Sequence, residues 1–75
     1  MPLCQGLGEP VPGDYVTYAG SLTDLHDIYF VVAINPDGSF ELIMDDEDVI
    51  VRLHTVGRQS IARTGGHTDR YRRYT

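Results

Sequence analysis

Three histidines are the residues of this chain whose type best suits acid–base or metal chemistry. His26 lies between Asp24 and Asp27, while His54 and His67 stand far from any second histidine or cysteine at ligand spacing. A catalytic base needs a nucleophile and an orienting partner beside it, and no motif places them here. We therefore expect no catalytic residue and no metal site, and we interpret the histidines as loop or surface residues.

The acidic run "DDED", residues 45–48, is the second candidate for metal binding. It lacks the spaced acids, the central glycine and the distant glutamate of a calcium loop, so a solvated hairpin turn explains it better. The single cysteine, Cys4, has no histidine at a recognisable spacing and no second cysteine with which to form an internal disulfide. We expect neither a metal nor a cofactor.

Short strands are the elements that the sequence predicts around these residues. The segment "IYFVVAI", residues 28–34, is apolar throughout, so a strand there must bury both of its faces. The preceding "DYVTYAG" alternates, with Val16 and Tyr18 on one face. The following "NPDG" predicts a three-residue hairpin loop in which Gly38 adopts the left-handed conformation.

The two predicted hairpin loops fix which residues face each other. Counting from "NPDG" gives three apolar pairs, which we assign to the core: Ile34 with Phe40, Val32 with Leu42, and Phe30 with Met44. Counting from a loop at 45–48 gives two pairs on the outer face, opposite the core: Ile43 with Ile50, and Glu41 with Arg52. A tighter, two-residue first loop would swap the faces of the second strand.

The 75 residues, 41% of them hydrophobic, suit one small domain with a single core. Residues 1–13 are rich in proline and glycine and predict a flexible arm. Residues 14–63 predict five strands, which a small closed barrel would protect at their edges. Residues 64–75 hold no apolar residue except tyrosine, and we expect a disordered basic tail.

The segment "PGDYVTYAGSLTDLHDIYFV", with "GRQSI" after the fourth strand, resembles small SH3-like barrel proteins, Tudor- or KOW-like in shape, of GC-rich bacteria and their phages. The resemblance covers residues 12–63 and implies an all-β, five-stranded SH3-like barrel. These proteins are mostly uncharacterised, and they often have glycine where this chain has Asp27. The chain lacks the tryptophan on which the peptide groove of eukaryotic SH3 domains depends.

The apolar outer face is our leading candidate for function. An apolar patch with a polar rim on so small a domain indicates a non-enzymatic contact surface for a protein partner or for a second copy of the chain. The predicted partner-binding residues are Tyr29, Val31, Ile43, Ile50, Glu41 and Arg52. The alternative is that the N-terminal arm covers this face with Leu3, Leu7 and Val11.

Nucleic-acid binding is the rival hypothesis, because the tail "DRYRRY" interleaves arginine with tyrosine. The residues concerned are Arg58, Arg63, Arg70, Arg72 and Arg73. Against it, residues 1–63 hold ten acids and three arginines, and phosphate binding favours basic modules. An aromatic cage is a weaker hypothesis than burial in the core for Tyr15, Tyr18, Tyr29 and Phe30.

Cellular location and origin are expectations from composition. The chain shows no signal-like segment and no apolar run near the ~20 residues that span a bilayer, so we expect it in the cytoplasm, without membrane contact. All six basic residues are arginine, which we interpret as codon bias of a GC-rich bacterial or phage genome.

Overall fold

The computed structural model describes residues 9–75, and this part of the chain is all-β. Five antiparallel strands form one sheet in the order β4-β3-β2-β1-β5. They are β1 (Asp14–Tyr18), β2 (Ile28–Ile34), β3 (Phe40–Asp45), β4 (Ile50–Val56) and β5 (Ile61–His67). The same residues, 9–75, contain three 3₁₀ helices, at Thr23–Leu25, Arg58–Ser60 and Arg70–Arg73. The predicted all-β class and the five strands are confirmed.

The first hairpin loop forms as its sequence predicts. Gly38 has a φ of +89°, which suits glycine in the left-handed region. The backbone N–H of Asn35 donates to the carbonyl of Ser39 at 2.8 Å, and Ile34 pairs with Phe40. The predicted start of the β2–β3 ladder is therefore confirmed.

A β-bulge in β2 then reverses the predicted faces of this strand. The pairing shifts between Val31 and Ala33, so Val31 rather than Val32 pairs with Leu42, and Phe30 pairs with Ile43. A bulge inserts one unpaired residue and moves every later pair by one position. The predicted pairs of Val32 with Leu42 and Phe30 with Met44 are therefore wrong.

The second hairpin is tighter than predicted. Asp46 and Val49 exchange backbone hydrogen bonds of 2.9 and 3.2 Å, so only residues 47–48 form its tip. As a result Asp45 pairs with Ile50 and Ile43 with Arg52. The predicted outer pairs, Ile43 with Ile50 and Glu41 with Arg52, are wrong because the loop begins two residues later and is therefore two residues shorter.

The main core lies on the inner face of the sheet and draws on all five strands. Its buried members are Val16, Tyr18, Tyr29, Val31, Phe40, Leu42, Leu53, Val56 and Ile61. Leu53 and Val56 of β4 belong to the same cluster as Ile61 of β5. The sheet is therefore curved strongly enough for its two edge strands, β4 and β5, to pack against the same core. Within residues 9–75 no backbone ladder joins β4 to β5, and the curled sheet stays open there.

The C-terminal residues form regular secondary structure, whereas the sequence predicts a disordered tail from residue 64. Strand β5 continues to His67, and the 3₁₀ helix Arg70–Arg73 follows it. Tyr71 and Tyr74 pack against buried residues of the sheet, which gives this polar segment an apolar anchor. Cys4, Leu3 and Leu7 of the predicted arm lie outside the described residues.

Candidate protein-binding surface

The outer face of the sheet carries a second, smaller apolar cluster. Phe30, Val32 and Ile43 are its buried members, and they are 2%, 6% and 0% exposed. Tyr15 lies edge-on to Phe30, with ring centroids 5.9 Å apart. This cluster explains why β2 contains seven consecutive apolar residues, since side chains on both faces of the strand are buried.

The C-terminal segment (residues 68–75) covers this cluster. Tyr71 and Tyr74 pack against it, and the ring of Tyr74 lies 6.0 Å from that of Phe30. Tyr71 lies in the 3₁₀ helix Arg70–Arg73 and Tyr74 is the C-cap residue, one turn of three residues later, so their side chains leave the same side. Val11 of the arm is exposed, so among residues 9–75 the cover comes from the C-terminal end.

Asp45 anchors the C-terminal segment to the sheet. The hydroxyl of Tyr74 donates to Asp45 Oδ2, and Arg70 Nη2 lies 3.0 Å from the same oxygen. The guanidinium of Arg52 lies 5.5 Å from the centroid of the Tyr74 ring, a cation–π contact. The hydrogen bond from Tyr74, with the charge of Arg70, holds the pKa of Asp45 below its ordinary value, and the same bond raises the pKa of Tyr74.

Apolar side chains beside Asp45 remain uncovered. Ile50, which pairs with Asp45 in the ladder, is 58% exposed, and Ile28 is 51% exposed. Continuing the register of Phe30 and Ile43 by two residues places Ile28 on the other side of Asp45. The exposed residues Asp46, Glu47 and Asp48 follow directly. This end of the outer face therefore joins exposed isoleucines to a row of carboxylates.

The structure separates the six predicted partner-binding residues into four groups. Tyr29 and Val31 are 1% and 0% exposed in the main core, and their predicted place on the outer face is a correction that the β2 bulge explains. Ile43 lies on the outer face but beneath the C-terminal segment. Ile50 and Arg52 are exposed there. The sequence interpretation missed Ile28 and Tyr74, although the spacing of the two tail tyrosines was a usable signal.

Glu41, the sixth predicted residue, is committed to contacts within the chain. Its carboxylate accepts hydrogen bonds from Asn35 Nδ2 at 2.8 Å and from the backbone N–H of Thr55 at 3.0 Å. His54 Nδ1 lies 2.5 Å from its other oxygen. Burial raises the pKa of Glu41, but these hydrogen bonds outweigh it and keep the pKa below its ordinary value. We assign Glu41 a structural role in joining β3 to β4.

A buried carboxylate also holds the start of the C-terminal segment. Asp14 lies 2.9 Å from His67 Nδ1, accepts the backbone N–H of Val11 at 3.0 Å, and lies 3.3 Å from Arg63 Nε. Burial raises the pKa of Asp14, but the His67 and Val11 hydrogen bonds and the Arg63 charge lower it below its ordinary value. In the part of the chain that the structure describes, no three metal-ligating side chains cluster.

A separate groove of about 530 Å³ runs between the β1–β2 loop and strand β4. The hydroxyl of Tyr18 accepts the backbone N–H of Leu22 at 3.2 Å, and the hydroxyl of Tyr29 donates to the carbonyl of Leu25 at 2.6 Å. These two bonds fix the loop over the core. Leu22 is nevertheless 54% exposed, and it supplies a control position away from the outer face.

Most of the arginines in the nucleic-acid hypothesis have carboxylate partners. The ion pairs are Arg58 with Glu9 at 3.1 Å, Arg63 with Asp14 at 3.3 Å, Arg70 with Asp45 at 3.0 Å, and Arg72 with Asp69 at 3.9 Å. A partnered guanidinium contributes less to phosphate binding than a free one, since it must first leave its carboxylate. Tyr18 and Tyr29 lie on the inner face, opposite Tyr15 and Phe30, so the four rings do not form one cage.

Comparison with known proteins gives no family. No family model matches the chain, and no curated protein or solved structure matches it. The resemblance to SH3-like barrel proteins therefore stays a prediction. Over residues 9–75, no helix has the length and apolar character needed to cross a membrane.

Proposed function

We propose that this protein is a non-enzymatic interaction module that binds a basic partner protein through the outer face of β2–β4. One observation carries the proposal: Ile50 is exposed opposite Asp45, beside the acidic turn of residues 45–48, and the exposed Ile28 lies where the β2–β3 register continues toward Asp45. An apolar centre with a charged rim is the usual composition of a protein interface. Because the turn is negatively charged, it favours a partner with a positively charged surface.

The charge distribution supports a protein partner over a nucleic acid. The chain has a formal net charge of −5, which repels phosphate and attracts basic surfaces. Four of the five candidate arginines already pair with carboxylates. An accessory role in a bacterial or phage-infected cytoplasm, docking on a host factor, is the setting that the resemblance and the arginine-only composition favour.

A selection from a random dodecapeptide phage library tests the proposal without knowledge of the partner. The full chain is the bait, and the selected peptides are then measured against two double variants by isothermal titration calorimetry. Ile28→Asp with Ile50→Asp changes the proposed surface. Leu22→Asp with Ile34→Asp is the matched control, because it places the same charge at similarly exposed apolar positions elsewhere.

We expect the selected peptides to be basic and to lose affinity about tenfold or more with the first double variant, because binding then buries an aspartate in place of each isoleucine. The control should change affinity far less. Acidic peptides, or peptides that are lost only with the control variant, would contradict the proposal. Self-association of the chain abolished by the first variant would identify a homodimer as the occupant instead.

The nucleic-acid alternative is tested with a fluorescently labelled single-stranded oligonucleotide. Binding through phosphates should weaken by orders of magnitude between about 50 and 200 mM salt, whereas an apolar protein contact should change little. Tight oligonucleotide binding with a steep salt dependence that Arg72→Ala with Arg73→Ala removes would favour the alternative.

A further inference from the structure

We infer that the C-terminal segment is a displaceable internal mimic of the partner: a basic segment of another protein carrying tyrosine and arginine binds the outer face by replacing it. This inference rests on the proposed function and adds both the chemistry of the partner and an autoinhibitory contact.

The contacts of the C-terminal segment define what the outer face recognises. Two aromatic side chains fill the apolar cluster, and a guanidinium and a phenol hydroxyl converge on one carboxylate, Asp45. Arg70 and Tyr74, which share that carboxylate, are four residues apart. A partner segment that repeats this arginine and tyrosine spacing makes the same charge-assisted hydrogen bonds.

The attachment of the C-terminal segment is concentrated in few residues. Gly65, with a φ of +93°, and Gly66 precede it, which gives the chain two permissive backbone positions before the cover. The helix Arg70–Arg73 has only four residues, too few for stability on its own. Arg72 and Arg73 are exposed. Release therefore breaks the two tyrosine contacts, the cation–π contact of Arg52, the Asp45 anchor and the backbone hydrogen bond from Thr68 to Gly13.

The C-terminal segment does not use the whole surface. It leaves Ile28 and Ile50 half exposed, and its Arg70 pairs with Asp45 rather than with Asp46, Glu47 or Asp48. A longer basic segment that repeats the tyrosine and arginine contacts would also cover the two isoleucines and approach the acidic turn. These additional contacts are the source of its advantage over the internal cover.

The same comparison argues against a second copy of the chain as the occupant. The C-terminal segment of another molecule offers only the contacts that the internal one already makes. The internal segment also acts at an effective concentration on the order of millimolar, because it is tethered. A swapped dimer therefore has no advantage at ordinary protein concentrations, whereas a segment with additional contacts does.

The test uses the synthetic peptide acetyl-TDRYRRYT-amide, which has the sequence of residues 68–75, added to isotopically labelled full chain. The control peptide has alanine in place of both tyrosines. Amide chemical shifts give both the dissociation constant and the location of binding. Three forms of the protein are titrated: the wild type, Tyr74→Ala, and Tyr74→Ala combined with Asp45→Asn.

In the wild type the tethered segment competes, so the peptide should bind weakly. Tyr74→Ala weakens only the internal cover, and the apparent affinity for the peptide should rise about tenfold or more, with shifts at Phe30, Ile43 and Asp45. Adding Asp45→Asn removes the anchor on the sheet and should reverse most of that gain. The control peptide should bind none of the three forms.

Equal affinity for the wild type and Tyr74→Ala, or binding that does not depend on Asp45, would overturn the inference. Shifts confined to the groove near Leu22 would do the same. Tyr71→Ala provides a second weakened cover, and it should give the same gain if Tyr74→Ala does not fold. If no form binds this peptide while library peptides still require Ile28 and Ile50, the mimicry fails and the proposed function stands.

Discussion

Asp14, Glu41 and Asp45 each accept hydrogen bonds from parts of the chain that are distant in sequence. All three have a pKa below the ordinary value, because the ionised form is the one that these donors stabilise. They hold, in turn, the end of β5, the bulged part of β4 and the C-terminal segment. At the residue scale, carboxylates fix the parts of the fold that regular strand pairing does not.

The contact of Asp45 with Tyr74 predicts how the C-terminal cover responds to pH. The pKa of Asp45 is lowered, so the stabilisation that its carboxylate gives the cover is fully present above pH 3.8. This stabilisation is lost as the pH falls through the lowered pKa. The pKa of Tyr74 is raised, so the stabilisation that its hydroxyl gives the cover is fully present below pH 10.0 and is lost as the pH rises through the raised pKa.

The ring signals of Tyr74 in NMR spectra check this prediction. In acid they should change with a midpoint below 3.8, and in base with a midpoint above 10.0. Asp45→Asn should remove the acid transition and return the basic one toward the ordinary tyrosine value. An acid midpoint at or above 3.8 in the wild type would show that Asp45 does not hold the segment.

Asp14 predicts a stability effect at the other end of the C-terminal segment. Asp14→Ala removes the buried carboxylate that accepts the backbone N–H of Val11 and lies beside His67 Nδ1. We expect the free energy of unfolding to fall by about 2 kcal/mol, the usual size of the effect when hydrogen bonds to a charged group are lost. Urea denaturation followed by circular dichroism measures it. Asp48→Ala, in the exposed turn, is the control and should change stability by less than about 0.5 kcal/mol.

At the scale of elements, two bulges decide which side chains share a face. In β4 the pairing shifts so that Leu42 faces Leu53 and Phe40 faces Val56, and Thr55 takes a φ of +55° between them. A β-branched residue at positive φ is strained. Leu53 and Val56 both point into the main core because the bulge absorbs the extra residue.

Replacing Thr55 by glycine should therefore stabilise the protein. Glycine adopts positive φ without strain, and the backbone N–H of residue 55 can still donate to Glu41. We expect the free energy of unfolding to rise by about 0.5–1 kcal/mol, measured by thermal and urea denaturation. Thr17→Gly, at an exposed position within the regular β1 strand, is the matched control and should lower it. A loss of stability in both variants would contradict a strained Thr55.

The bulges also explain which parts of the fold the sequence predicts. The bounds of β2, the buried positions Val16 and Tyr18, and the left-handed Gly38 follow from local patterns and turn chemistry. The faces of β2 do not follow, because every residue near Val32 is apolar and nothing in the alternation marks a bulge. In β4 a signal existed, since Leu53 and Val56 are three apart where a regular strand needs an even spacing.

At the scale of the whole molecule, the C-terminal segment completes a second apolar cluster that the sheet cannot bury alone. A curled five-stranded sheet has one enclosed face, and Phe30, Val32 and Ile43 lie on the other. Composition suggested a disordered tail because tyrosine and arginine dominate it, yet tyrosine is amphipathic and can bury its ring while its hydroxyl finds a partner. The sequence places Ile43, Ile50 and Arg52 on the outer face of β3 and β4, where they lie, but it assigns the wrong residues of β2 to that face.

Removing both tyrosine rings should expose this cluster. For Tyr71→Ala with Tyr74→Ala we expect a loss of about 2–3 kcal/mol in the free energy of unfolding and stronger fluorescence of the dye ANS with the folded chain. Circular dichroism must show that the strands persist. Arg72→Ala with Arg73→Ala changes neighbouring exposed positions and should alter neither quantity much. Unchanged ANS fluorescence in the tyrosine variant would show that the rings do not cover the cluster.

Exchange of the C-terminal segment for a partner segment is most directly measured on the full chain during titration with the strongest library peptide. Methyl and aromatic NMR signals report both sides of the contact at once. The account predicts that the ring signals of Tyr74 move toward those of an unstructured tyrosine while the methyl signals of Ile28, Ile43 and Ile50 shift. Saturated binding with the Tyr74 signals unmoved and the shifts confined to Leu22 and Leu25 would contradict it.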